Sequence, residues 1–401
     1  MKIIITSLDD SDKILVGGKH VHQQLLRKGL IELGHEIINV FPKKSIFYYL
    51  VRIWMLGLTK LKIFKRPTVF NWTLNYLKKT LVHDLAKYRS VADAVFAQDP
   101  VAACAAAEVF TGIPIVMTLH GYLGRESVNY GGYNERDAIH VLELAKVFER
   151  DALKSATRVI TVDSKIAHYL KDDFNYLPQT TLLKNAIDPS LFSKFSPEDI
   201  QQFKRQLQAV ESKKIVLIPR RLVRKNGVDI AIEAARYLKN KNYNDFLFLV
   251  IGDGPERKSL ERAKAEAGLT DQEFLFKGSI DHKSSSIYYA SADIVLVPSV
   301  IRDGVEEAVS LSMLEGMAAQ KIVVVSNIGG MKEVIENQKN GFVFEQANYE
   351  ELANVLISLN QESVEKIELI KKTALKLILE KHHYKAHTKI YLEQIQQDKE
   401  K

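Results

Sequence analysis

The sequence predicts an α/β chain of two doubly wound blocks, and three observations predict it. Residues 2–7 are strand-like, with Ile3-Ile4-Ile5, and Gly17-Gly18 then opens a helical pattern of Val21, Leu25, Leu26, Leu30 and Leu33 that Gly34 closes before a second strand at 36–41. Strand, glycine-rich turn, helix and strand in that order form the βαβ unit of a doubly wound sheet. After a polar, helix-like stretch at 196–212 the alternation restarts. No apolar run reaches the roughly 18–20 residues needed to span a bilayer.

The remaining elements follow in order. Strands at 94–97, 113–119, 159–162 and 181–183 complete the first block. In the second, a strand at 214–218 precedes a helix at 228–238, and a strand at 246–251 precedes a helix at 255–267, with Pro255 suited to its first turn. Strands at 274–277, 294–297 and 322–325 follow, the last two flanking a helix around 312–319, and the end of the chain, from about 362 on, is helical and charged. The seam near 195–213 divides the chain into a domain at 1–195, a second at 196–375, and a C-terminal helix at 376–401 expected to pack back on the first.

At 401 residues the chain has room for two domains, and 46% hydrophobic with 26% charged residues excludes a largely disordered polymer. The single cysteine, Cys104, excludes a disulfide framework and a cysteine-based zinc site, and fits a reducing compartment. No signal peptide is visible ahead of the first strand, so a cytoplasmic location is expected. The net charge of +7 is not spread evenly: residues 43–89 hold eleven basic residues and one acid, Asp84, a net of +10, which leaves the rest slightly acidic. The same segment holds nine aromatics, including both tryptophans, Trp54 and Trp72. It suits a peripheral, membrane-facing insertion, with aromatics at the headgroup boundary and cations on anionic lipid. The alternative is a helical pair packed on its own domain with a solvated basic face. Nucleic acid is not expected, since no recognition module accompanies the patch.

Four motifs bear on chemistry. Gly17-Gly18 lets backbone approach a ligand at a helix start, but no full dinucleotide fingerprint surrounds it. Residues 218–227, Ile-Pro-Arg-Arg-Leu-Val-Arg-Lys-Asn-Gly, place cations between a strand and a helix, which suits a diphosphate or a plain basic loop. Gly252-Asp253-Gly254-Pro255 ends a strand and starts a helix, permitting close approach of a nucleotide. Glu307 and Glu315 lie eight positions apart, about two turns on nearly one face if both are helical, although Glu306 adds ambiguity.

Taken in chain order, Gly17-Gly18, Thr118-Leu119-His120-Gly121, Val162-Asp163-Ser164, 184–188 (Lys-Asn-Ala-Ile-Asp), the Arg221 loop, Gly252-Asp253-Gly254-Pro255, Val297-Pro298-Ser299, 307–315 and Gly329-Gly330 with Glu333 form a set. That set resembles the family 4 retaining glycosyltransferases of the GT-B fold, glycosyl transferases group 1. The resemblance implies two Rossmann-like domains facing each other across a deep cleft. It implies that Arg221 and Lys225 grip the donor diphosphate, Glu315 holds the ribose, Glu307 contacts the donor sugar, and His120 stands near that sugar. Gly17, Gly18, Arg220, Gly252, Gly254, Ser310 and Leu311 would line the donor site. Two departures stand out. Pro219 and Asn226 occupy positions where the family commonly has glycine and lysine, so Arg220 could replace Arg221. Val309-Ser310 replaces a glycine after the first glutamate.

The implied reaction is hexosyl transfer from a nucleotide sugar to an acceptor hydroxyl with retention, in cell-surface polysaccharide or glycolipid synthesis, peripheral at the inner face of the membrane. No cofactor or metal is expected, since the only Asp-x-Asp is Asp10-Ser11-Asp12 in a polar, isolated loop. A soluble acceptor and a non-catalytic nucleotide-sugar-binding protein are the alternatives.

Overall fold

A computed structural model gives the architecture, and the structure describes residues 1–10, 18–175, 180–207, 213–302 and 309–396. The chain forms two compact units, residues 1–184 with 384–401, and residues 185–383.

The first unit runs β1 (Lys2–Thr6), α1 (Gly18–Glu32), β2 (Glu36–Val40), α2 (Ile46–Lys60), α3 (Arg66–Leu85), β3 (Ala94–Ala97), α4 (Pro100–Val109), β4 (Ile115–Leu119), α5 (Leu123–Gly131), α6 (Glu135–Ser155), β5 (Arg158–Thr161), α7 (Ser164–Phe174) and β6 (Thr180–Leu182). Its strands form one parallel sheet in the order β2-β1-β3-β4-β5-β6. Successive side chains of β1 alternate across it: Ile3 and Ile5 pack with Leu26 and Leu30 of α1, whereas Ile4 packs with Leu81 and Leu85 of α3 and the alanines of α4. Both faces are therefore covered, as a parallel sheet requires.

The second unit runs α8 (Pro197–Gln206), β7 (Lys214–Pro219), α9 (Val228–Asn240), β8 (Phe246–Ile251), α10 (Arg257–Glu266), β9 (Phe274–Gly278), α11 (His282–Ser291), β10 (Ile294–Val297), α12 (Leu311–Ala318), β11 (Ile322–Ser326), β12 (Phe342–Phe344), α13 (Tyr349–Gln361) and α14 (Val364–Leu377). Its parallel sheet has the order β12-β11-β10-β7-β8-β9. Val216, Ile218, Phe248 and Val250 face α9, α10 and α13, while Ile215, Leu217, Leu249 and Ile251 face α11, α12 and α14.

The first boundary falls at 184/185, not at 195/196, because Ile187 N donates to His382 O (2.8 Å) and ties residues 185–192 to the second sheet. The last crossing falls at 383/384. Ala374 of α14 and Ile378 bury in the second unit, whereas α15 (Tyr384–Gln396) buries Tyr391 and Ile395 on the first sheet.

The first unit has one unusual feature. Between β2 and β3 it carries two helices. Leu74, Leu77, Leu81 and Leu85 bury α3 as the crossover helix, and α2 rests on α3 through Tyr48, whose ring stacks on Trp72 at 5.9 Å.

Candidate functional site

In the second unit the strand order reverses between β7 and β10, and ligands of such sheets bind where the chain leaves those two strands. Arg220 follows β7 directly and is buried. Its guanidinium donates to Asn226 Oδ1 (2.6 Å), Ser299 Oγ (2.9 Å) and Ser310 Oγ (3.1 Å), tying together the loops after β7 and β10 and the start of α12. Asn226 in turn donates to Arg221 O (2.7 Å), closing its own loop. The Arg221 side chain is exposed, and Lys225 is half-buried, its carbonyl accepting from Val300 N (2.8 Å).

The glycines after β8 are set by packing against this loop. A Cβ on Gly252, whose φ is +137°, would lie 2.1 Å from Arg220 O, and one on Gly254 would lie 2.3 Å from Leu222 O. Glycine is required there by the approach of two backbones, before any ligand is considered.

Ser310 occupies the N-cap position of α12, but its hydroxyl does not cap the helix; it accepts from Arg220 instead. Among the described residues, the first-turn N–H groups of α12, beginning at Leu311, thus receive no capping bond from Ser310, a setting that suits an anion. One turn further, the buried Glu315 accepts from Tyr289 Oη. Burial and the Glu315 carboxylate push the Tyr289 phenol well above its ordinary pKa, so it stays a donor.

The first unit reverses its order between β1 and β3. Asp99, after β3, caps α4 through Oδ1 to Ala102 N (2.8 Å) and accepts through Oδ2 from Leu8 N (2.7 Å), Ser7 Oγ (3.1 Å) and Lys19 Nζ (3.1 Å). Lys19 also reaches Asp9 (3.3 Å). Burial opposes both charges. Asp99 and Asp9 nevertheless hold Lys19 above its ordinary pKa, and Lys19 with the two backbone donors holds Asp99 below its own.

His120 follows β4, with Nε2 3.0 Å from Gln98 Oε1. With the amide oxygen on that side, Nε2 carries the proton and Nδ1 keeps its lone pair. The ring meets His22 of α1 edge-on at 4.8 Å. His22 Nε2 lies 2.7 Å from Tyr391 Oη, which lies 2.6 Å from Thr118 Oγ1. Burial, then His387, push His22 down to about 3, and burial with His22, Lys19 and His20 pushes His120 well below its ordinary value. Both imidazoles are neutral near pH 7, so His120 can exchange hydrogen bonds with a sugar hydroxyl but brings no positive charge.

Arg220, Arg221, Lys225, Gly252, Gly254, Ser310, Leu311 and Glu315 therefore gather at one sheet edge of the second unit, and Gly18 and His120 sit on helix α1 and after β4 in the first. Gly17 and Glu307 lie outside the described residues. Within the described part of the 307–315 motif the helix that carries Glu315 begins at Leu311, and Ser310 is extended (φ −67°, ψ 126°). The structure adds Lys19, His22, Gln98, Asp99, Tyr289 and Tyr391 to these surroundings, and joins Ser299 of the motif set to Arg220. Lys19 had a signal in its place directly after Gly17-Gly18, and Asp99 in the Asp-Pro pair of an N-cap. Tyr391 had none.

The family model for glycosyl transferases group 1 matches residues 199–387, and that for glycosyltransferase family 4 matches residues 16–191. An uncharacterised glycosyltransferase of Methanocaldococcus jannaschii is 26% identical over 352 residues, 85% of this chain and 84% of the relative. The amylovoran biosynthesis glycosyltransferase of Erwinia amylovora is 33% identical over 147 residues, 36% of each chain. Among solved structures, Anabaena HepE in complex with UDP-glucose superposes with a TM-score of 0.69 at 20% identity, covering 98% of this chain and 99% of that one, and shares its fold of two parallel sheets.

Proposed function

Because the chain belongs to the glycosyl transferases group 1 of family 4, with the GT-B fold and a nucleotide-sugar donor, we propose that it transfers a hexosyl unit to an acceptor hydroxyl with retention at the anomeric carbon and without a metal ion. The observation that carries this is the edge at β7 and β10, where the exposed Arg221, Lys225 and the uncapped start of α12 converge beside the buried Glu315. The cations and first-turn N–H groups of Ser310-Leu311 hold the diphosphate, and Glu315 accepts from ribose hydroxyls. Glu307 and His120 take the sugar hydroxyls, and Gly17 and Gly18 line the approach.

In the reaction the bond from C1 to the diphosphate oxygen breaks. The acceptor oxygen bonds to C1 on the same face, and its proton passes to the departing diphosphate. Negative charge grows on the diphosphate in the transition state, so preorganised cations and N–H groups there lower the barrier. The basic segment at 43–89 supports an acceptor at the membrane, a polyprenyl-linked glycan or glycolipid, with the enzyme peripheral to the inner face of the cell membrane. The amylovoran biosynthesis relative supports a role in polysaccharide synthesis.

A panel of nucleoside diphosphate sugars tested by thermal shift, then by NMR of the anomeric product, checks this. One donor should stabilise the enzyme, by about 2.7 kcal/mol at a hundredfold excess over its dissociation constant. Its product should keep the donor's anomeric configuration, with the rate unaffected by EDTA. Inversion, or loss of activity in EDTA that divalent metal restores, refutes the corresponding part.

A further inference from the structure

We propose that α2 is an in-plane membrane anchor, laid along an anionic lipid surface with Phe47, Leu50, Ile53 and Trp54 at the headgroup boundary. This deepens the reading of a membrane-borne acceptor and rests on it.

The helix is turned inside out relative to an ordinary surface helix. Ile46 (80% exposed), Phe47 (65%), Leu50 (61%), Ile53 (65%) and Trp54 (60%) face outward, whereas Tyr48 and Met55 face the body of the unit. With 3.6 residues per turn the outward set falls in an arc of about 120°, opposite Tyr48 and Met55. Leu61 and Ile63 continue the apolar surface beyond the helix end. So many large exposed apolar side chains in one stretch mark an interaction surface. Of the two tryptophans only Trp54 takes part, since Trp72 stacks on Tyr48 and Tyr76 within the unit.

Charge decides the occupant. Exposed Lys43 and Lys44 precede α2, Arg52 lies within it, and exposed Lys60, Lys62 and Lys65 follow. Among the described residues none of the six has a carboxylate partner, whereas Lys78 and Lys87 pair with Glu108 and Asp84. No acid lies between Glu36 and Asp84. A second copy docked by a two-fold contact would bring these cations against themselves. An anionic bilayer complements both the apolar arc and the lysines that precede and follow the helix. Fifteen residues of helix span only about 22 Å, too short to cross the hydrocarbon core, which fits an in-plane helix.

The topology relates the anchor to the chemistry. All strands of the first sheet are parallel, so the chain leaves β2 at the same edge where Asp99 and His120 leave β3 and β4. Lys43 comes three residues after Val40, within about 10 Å of chain from that edge.

Vesicle sedimentation tests the anchor. The protein should pellet at low salt with phosphatidylcholine vesicles containing about one-third phosphatidylglycerol, not with phosphatidylcholine alone, and its Trp54 fluorescence should shift to the blue. Replacing Lys43 and Lys44 by alanine should weaken binding about 25-fold, at about fivefold for each lysine. Leu50→Glu with Ile53→Glu should abolish pelleting without changing the melting temperature, since both side chains are exposed. Failure of the wild type to pellet overturns the anchor, as does pelleting unchanged by Leu50→Glu with Ile53→Glu. A concentration-dependent dimer that this double variant breaks, without vesicle binding, overturns it in favour of a second copy. The acceptor reading is scored separately, from donor-derived label extracted into the organic phase with vesicles of total cell lipid. Pelleting with the label left in water supports the anchor and overturns that reading alone.

Discussion

Arg220 and Arg221 are adjacent and chemically identical, yet their surroundings assign them different work. The guanidinium of Arg220 is spent on Asn226, Ser299 and Ser310, so it holds loops in place. Arg221 is exposed and available to a ligand. Arg220→Ala should therefore lower stability by about 3 kcal/mol, because three hydrogen bonds to a buried charge are lost together. Arg221→Ala should change stability by no more than about 0.5 kcal/mol and still weaken donor binding at least tenfold. Urea unfolding and titration calorimetry separate the two, and equal stability losses would contradict the division. The sequence shows two arginines after a strand; only the side chains that converge from residues 226, 299 and 310 distinguish them.

At the scale of elements, nearly every strand is legible because its signal is local, whereas several helices, among them α4, α6, α7, α11 and α13, have no counterpart among the elements expected from the sequence. Apolar runs such as 246–251 make strands buried on both faces, and residues 228–238 show the period of a helix. The exception is β12, a strand of three residues, Phe342–Phe344, too short for alternation to register and formed by pairing with β11. The turn after β8 is legible as glycine, but its reason is tertiary, since Gly252 meets the backbone of the loop after β7. Gly252→Ala should destabilise the protein by about 3 kcal/mol, from a positive φ and a Cβ pressed against a carbonyl oxygen, and should shift the 220–222 loop. Differential scanning calorimetry checks this, and a neutral effect would mean that the two loops do not approach so closely. The sequence locates the basic aromatic segment at 43–89 and leaves two arrangements open. The structure packs α3 inward as a crossover helix and leaves the apolar face of α2 exposed.

At the scale of the whole chain, acid should weaken the first unit through its buried histidines. His22 is held at about 3, below its ordinary value, and His120 is shifted the same way. A depressed folded-state pKa means that the stabilisation is complete above about pH 6.5. It is lost as pH falls from there toward 3, where the unfolded chain binds protons that the folded one does not. Each group contributes a slope of at most about 1.4 kcal/mol per pH unit. Urea unfolding between pH 7 and 4 should show stability falling with pH, and His22→Gln should flatten the fall. An unchanged slope in the variant would mean that His22 is not the group responsible.

The sequence by itself determined the two α/β blocks, the place of the basic segment and the loops that carry the candidate donor-site residues, because each is written in neighbouring residues. Tertiary structure alone decided which arginine is buried, which face of α2 meets solvent, and that Tyr391 reaches back to His22 and Thr118. The last depends on the chain recrossing at 383/384, which places α15 on the first sheet some 270 residues after Thr118. Residues that far apart meet through strand order and packing, and no local pattern of side chains specifies either.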